Sequence, residues 1–376
     1  MTSSTKRSIE IDFFRGLALV VIMLDHIPNS LLSHITLHHY AFCDAAEVFV
    51  FVGGYSVAAA YSAICARQGE AAAAARFVRR SAEIYRAFLL SAALMIGLGL
   101  ALHGLGVDTP DVDATEAATF LRRPLGMIAD VISLRRQPFL SSVLPMYAMF
   151  ALAAPLLIGC ARRMPWFTGV ASLCVWYAAP ELAQNLPSAY PEGWAFNPFA
   201  WQLLFVSGAL ARLRPLDPAF MRGPHALTLT RIAYGVALTC AFWCLFLTAG
   251  PAPGYEKQNL DAMRVLNFGT LAWLAAWASA RGAVAPLVHR LPVLVRIGRR
   301  SLPCFVGGAG ISLALGALLR PMFLAALPLP PALQPLPSWL IGGIDDICAI
   351  VLLIGVERLA SADLGRYLLR RHPSPR

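Results

Sequence analysis

Apolar stretches long enough to cross a bilayer recur along this chain, and that recurrence limits its fold more than any other feature. They centre on residues 11–30, 45–66, 85–104, 142–160, 166–180, 199–212, 229–249, 265–281, 301–320 and 338–358. A hydrocarbon core of about 30 Å asks for roughly 17–25 residues per helix. Nothing alternates with the period of two that a membrane barrel needs. The expected fold class is therefore all-α: a polytopic membrane protein of about ten transmembrane helices, one domain over residues 1–376. The segments at 166–180 and 199–212 are short and flank Pro180 and Pro198, which makes the count good to about one helix. With 58% hydrophobic and 14% charged residues, the chain is neither an ordinary soluble enzyme nor disordered.

The net charge of +10 does not point to nucleic acid, because the basic residues recur between apolar blocks and form no tail. With the N-terminus inside, the inner segments hold Lys6, Arg7, Arg67, Arg76, Arg79, Arg80, Arg162, Arg163 and the arginines that follow the sixth, eighth and tenth stretches. The outer segments hold fewer cations: Arg122, Arg123, Arg135, Arg136, Lys257, Arg264 and Arg320. That bias predicts both termini in the cytoplasm. The first apolar run carries Asp12, Arg15, Asp25 and His26 and lacks a small-x-small cleavage site, so it is expected to stay attached as the first helix. The eight cysteines form no C-x-x-C pair. Seven read as buried apolar residues and Cys43 as an outer-loop residue, with no disulfide framework expected. The outer loop at 103–141, with Asp108, Asp111, Asp113, Glu116 and Asp130 beside four arginines, reads as a small ordered cap. No internal repeat is visible, which argues against an inverted-repeat transporter.

Ionisable groups inside a membrane helix are costly and so mark function by default. From Arg15 to His26 is eleven residues, about 1100° at 100° per residue, which returns to nearly the same face with a rise of about 16 Å. Asp12, Arg15, Leu19, Met23 and His26 thus form one stripe running from the inner interface into the membrane. A cation at the inner end and a titratable base deeper in suit a reaction between an anionic cytosolic donor and a partner from the other side. The ordinary alternative makes Arg15 a snorkelling anchor and His26 a packing residue, and Asp25 beside His26 weighs against it. Arg76, Arg79, Arg80 and Arg86 fall near one face leading into the third helix and could grip phosphate oxygens with their planar forks. Positive-inside topology explains most such clusters. His34, His38 and His39 with Asp44 have metal-like spacing, but they sit in a short polar loop without a second ligand cluster, and no metal site is assigned. Asp345 and Asp346 interrupt the tenth stretch, where one could face a water-filled cavity or cap a neighbouring helix.

Residues along most of the chain resemble one family. Arg15-Gly16-Leu17-Ala18 followed by His26 resembles the R-x10-H motif of membrane acyltransferase-3 proteins. Asp25-His26-Ile27-Pro28, the run from Phe42 to Phe51, and Gly54-Tyr55 resemble its OpgC branch, named for succinylation of osmoregulated periplasmic glucans. Phe196-Asn197-Pro198-Phe199-Ala200-Trp201-Gln202, Lys257 with Leu260 and Arg264, and Gly298-Arg299 with Ser301-Leu302-Pro303 extend the resemblance from about residue 7 to about 320. The chain departs from the pattern at Gly53 (Ser expected), Asn267 (His expected) and Glu256 (Asp expected).

The resemblance implies a ten-helix, multi-pass enzyme of the bacterial inner membrane. It would move an acyl group, foremost succinyl, from cytosolic acyl-CoA as co-substrate to a hydroxyl of a periplasmic glucan or other envelope glycan, with no tightly bound cofactor. His26 would be general base or, equally, acyl carrier, with Asp25 or Glu47 orienting its ring and Arg15 holding donor phosphate or the tetrahedral oxyanion. Donor binding would fall to Arg15, Arg79, Arg80, Arg86 and Arg299, and acceptor binding to Asp44, Trp194, Asn197, Trp201 and Gln202. The competing class is a glycan or small-molecule transporter that uses the same buried charges.

Overall fold

The structure, a computed structural model, describes residues 9–28, 30–107, 109–247, 256–318 and 338–371. Lys6, Arg7, Asp108 and Arg320, used above for sidedness and for the cap, lie outside them, as do the side chains from 363 onward. Among the described residues there is no strand, and every expected apolar stretch lies on helix. We label the long helices α1 (Ile9–Asp25), α2 (Ala45–Gln68), α3 (Glu70–Gly104), α4 (Val143–Arg163), α5 (Pro165–Tyr177), α6 (Pro198–Leu213), α7 (Pro224–Phe242), α8 (Ala262–Ala280), α9 (Ser301–Leu318) and α10 (Ser338–Arg371). Five helical segments are long and apolar enough to cross a membrane on their own: Ala45–Gln68, Glu70–Gly104, Phe139–Arg163, Pro224–Leu247 and Trp339–Ala362. The remaining long helices are shorter or more polar.

Proline and small polar residues punctuate these helices as helix chemistry requires. Prolines open α5, α6 and α7, where a missing N–H costs nothing. The Asn197 side chain caps α6 by accepting from Phe199 N. Two glycine crossings then set the packing. Gly16 of α1 meets Gly298 of the short helix Pro292–Arg299, and Gly54 of α2 meets Gly208 of α6. A Cβ at any of the four would collide with the carbonyl of the facing helix, so the backbones approach as only small residues allow. The core runs through Met23, Val50, Phe88, Trp201 and Phe205, joining α1, α2, α3 and α6. Leu90, Leu156, Leu238 and Ile347 stand exposed on the outside, as a lipid-facing surface permits.

One element differs from the reading of the sequence. The basic segment 76–86 is no loop: it belongs to α3, a continuous helix of 35 residues. At about 1.5 Å per residue it far outruns a bilayer core of about 30 Å. Its lower half lies along α4, where Ser81 Oγ donates to the Ala148 carbonyl at 2.8 Å. The cap is ordered, as expected. Asp130 is paired with Arg123 at 3.0 Å and Arg136 at 3.3 Å, and Arg136 also pairs with Glu116. It packs along α3, with the Tyr85 hydroxyl donating to the Ile132 carbonyl at 2.7 Å. All eight cysteines are free. Cys43 lies in the loop before α2, as expected, and is buried there, whereas Cys174, expected to be buried, is exposed.

Candidate functional site: an arginine-walled cavity below His26

Arg15 is held from several sides. Its guanidinium donates to Ser56 Oγ, lies 3.5 Å from the carbonyls of Val52 and Gly298, and is 3.6 Å from the Asp12 carboxylate. The Gly16–Gly298 crossing brings the short helix close enough for this. The fixed guanidinium forms part of the wall of a cavity of about 290 Å³, shared with Ser56 and Gly53 of α2, Arg76 and Arg80 of α3, Tyr147 of α4, and Phe305 of α9. Arg76 and Arg80 are each 2.9 Å from Glu83 and half-exposed, so one carboxylate serves two cations and positive charge is left in excess at the mouth.

Phe305 also lines a second, much smaller cavity of about 10 Å³, bounded by Leu19, Ile22 and Met23 of α1 and by Leu140. One turn further along α1 stands His26. Its Nδ1 donates to the Ile22 carbonyl at 2.7 Å, and its ring meets Phe139 edge-on at 6.5 Å between centroids. Bonding Nδ1 to a carbonyl fixes the proton there and leaves Nε2 with its lone pair, the form a general base needs. The stripe read from the sequence therefore exists, with an aromatic partition at Phe305 between its two ends.

The remaining expected site residues separate. Arg79 and Arg86 are exposed and line neither cavity, because residues 79 and 86 stand about 100° or more around the helix from Arg80. Arg76, placed in the basic cluster but not in the donor set, is on the cavity instead. Arg299 pairs with Asp12 at 3.3 Å, and it too is off the cavity. Asp25 does not orient His26: its carboxylate accepts from Thr36 Oγ1 at 2.7 Å.

Glu47 does not orient His26 either. It is fully buried and bound to Arg264, with Nε to Oε1 at 2.7 Å, while Arg264 also reaches Asp44 Oδ2 at 3.1 Å and Lys257 Nζ reaches the same oxygen at 2.7 Å. Asp44 and Glu47 form a reciprocal cap on α2, Ala46 N donating to Asp44 Oδ1 at 2.8 Å and Asp44 N to Glu47 Oε2 at 2.9 Å. An Asp-x-x-Glu pair before an apolar run is the sequence signal of such a cap. Burial opposes ionisation of Asp44, but the charges of Lys257 and Arg264 outweigh it and hold its carboxyl below the ordinary carboxylate range. Arg264, only 1% exposed, is the organising residue, and its place immediately before the eighth apolar stretch was the only signal for it. Asn267 accepts from Phe42 N at 2.8 Å, which closes the same corner.

The aromatic and amide residues expected to face an acceptor are turned inward. Trp201 and Asn197 are 0% exposed and Trp194 3%. Trp201 Nε1 donates to the carbonyls of Lys257 and Gln258 at 3.1 and 3.2 Å, and Trp194 Nε1 to that of Pro187 at 2.7 Å. Asn197 Nδ2 donates to the Ala179 carbonyl at 2.8 Å, and Gln202 is bound to Ser172. These side chains brace loops rather than present a sugar-binding face. Elsewhere, Asp346 ties α10 to the loop after α1 through Ser30 Oγ at 2.6 Å and Leu32 N at 2.8 Å, which is the capping role left open above. His34 and His39 stand with ring nitrogens 3.1 Å apart, and among the described residues no cluster of three or more candidate ligands gathers to hold a metal.

A family model described as OpgC protein matches residues 7–327. The chain belongs to the OpgC family. No curated protein and no solved structure matches it. The OpgC match covers both cavities, the His26 stripe and the Arg264 network, so the site lies wholly within the family region.

Proposed function

We propose that this OpgC family member is a transmembrane O-acyltransferase within the acyltransferase-3 superfamily. It moves an acyl group, foremost succinyl, from cytosolic acyl-CoA to a hydroxyl of a periplasmic glucan or other envelope glycan. It sits in the inner membrane with ten crossings and both termini in the cytoplasm. The observation that supports the reading is a cation-rimmed cavity at Arg15 and, further along the same stripe, a histidine whose Nδ1 is bonded to the Ile22 carbonyl, so that in the neutral ring Nε2 is the proton acceptor. Arg76 and Arg80 suit the phosphates of a CoA donor, and Arg15 suits its thioester end. Once the acyl end of the bound donor has passed the Phe305 partition and come up to His26, the glycan hydroxyl oxygen attacks the thioester carbonyl carbon as its proton passes to Nε2. The C–S bond then breaks, and the thiolate leaves with the proton returned by the imidazolium. Positioned proton transfer of this kind contributes about 10²–10⁴-fold.

The test uses purified full-length protein in vesicles, supplied with succinyl-CoA or acetyl-CoA on one side and glucan on the other. Mass spectrometry of the glucan and release of free thiol should report transfer in step. Movement of unmodified glucan across the vesicle without thiol release would replace this reading with a transporter.

A further inference from the structure

We infer that the Tyr147 hydroxyl is a further donor-site group, one that hydrogen-bonds the acyl oxygen of the bound thioester, and that the missing side chain at Gly53 is what leaves room for that oxygen. The inference rests on the reading of the large cavity as the acyl-CoA site. Its ground is a polar atom without employment. Tyr147 lines the cavity, yet its hydroxyl is buried and, among the described residues, has no hydrogen-bond partner. A buried hydroxyl without a partner is costly, and an apolar residue of the same shape would avoid the cost. Tyr147 cannot swing out to find water, because its ring is packed edge-on against Phe49 at 5.4 Å and Phe150 at 6.1 Å.

Gly53 accounts for the unmet bond. A Cβ built there would lie 3.1 Å from Tyr147 Cε1 and 3.3 Å from its hydroxyl oxygen, so a serine at this position would sit within reach of the phenol and occupy it. With glycine, no side chain from position 53 reaches the hydroxyl, and Tyr147, Gly53 and Arg15 all line the same cavity. A neutral donor and a fixed cation on the wall of one cavity fit a carbonyl oxygen that gains negative charge. Free CoA, which ends in a thiol, has no such oxygen to offer.

The experiment compares binding of CoA and of acetyl-CoA by calorimetry on the detergent-solubilised full chain. Wild type should prefer acetyl-CoA by about 3- to 10-fold, the worth of one such hydrogen bond. Tyr147→Phe should bring the two affinities together, leaving that for CoA itself within about twofold. Gly53→Ser, which offers the phenol an internal partner, should also erase the preference and raise the thermal midpoint, and it decides the matter if Tyr147→Phe fails to fold. A wild type without the preference, or either folded variant keeping it, overturns the assignment of Tyr147 alone. A wild type that binds neither ligand overturns the donor-site reading and this one with it.

Discussion

The corner around Arg264 and the cavity around Arg15 are built from the same residue types and use them in opposite ways. At the Arg264 corner two carboxylates meet two cations, every charge is closed upon another, and the helix cap of α2 is part of the circuit. At the cavity Arg15 is held by Ser56 and Asp12, but Arg76 and Arg80 divide one Glu83 and, among the described residues, the Tyr147 hydroxyl has no partner. Charges that close upon one another hold the fold together, whereas cations in excess of their carboxylate and a hydroxyl without a partner are available to a ligand. Asp44, Glu47, Trp201 and Asn197 invite a functional reading as residue types, and their satisfied bonds withdraw it.

The hardest test of that contrast is removal of Arg264. Arg264→Ala strands Glu47 inside the protein, and breaking such a buried pair costs about 3–5 kcal/mol. The variant should lose its thermal transition or unfold far earlier in detergent, and a folded, active Arg264→Ala would collapse the distinction between the two regions.

His26→Ala should instead leave the thermal midpoint close to wild type while transfer falls by about 10² or more, since its ring holds one local bond to Ile22. Robust glycan acylation by this variant would remove His26 from the chemistry.

A third measurement divides the arginines of α1 and α3 by whether they line the cavity. Arg15→Lys and Arg80→Lys should weaken CoA binding by about tenfold, because a lysine keeps the charge and loses the fork. Arg79→Lys and Arg86→Lys should bind as wild type does. Equal effects from all four would mean that helix face is irrelevant and only total charge matters.

The smallest effect concerns acid. The Asp44 carboxyl is depressed in the folded chain, so its contribution to stability is fully present above the ordinary value near 4 and is lost as pH falls through the depressed one. Thermal midpoints should be flat in this respect between about pH 7 and 5 and decline below about 4, and Asp44→Asn should flatten part of that decline. An acid limb identical in Asp44→Asn and wild type would detach Asp44 from the network.

What could be read without the structure was whatever local order along the chain dictates. Apolar block lengths implied helices in ten places, and each lies on one. The eleven-position step from Arg15 to His26, just past the end of α1, puts both on one face, because helix geometry fixes that angle whatever surrounds it. Even the Asp44–Glu47 cap was open to reading, since both partners lie within one turn.

Tertiary structure alone decided who meets whom. Glu47 and Arg264 are 217 residues apart, and no period in the sequence joins them. The continuity of α3 past Arg76 set which arginines turn toward α1 and α4, and a cut at 85 hid it. Tyr147 reads as one more aromatic in an apolar run until the fold sets it opposite Gly53. Periodicity determines the face on which a side chain stands, but what that face meets is settled by helices crossing at distances the sequence does not encode locally. An unmet hydrogen bond exists only once those crossings are made.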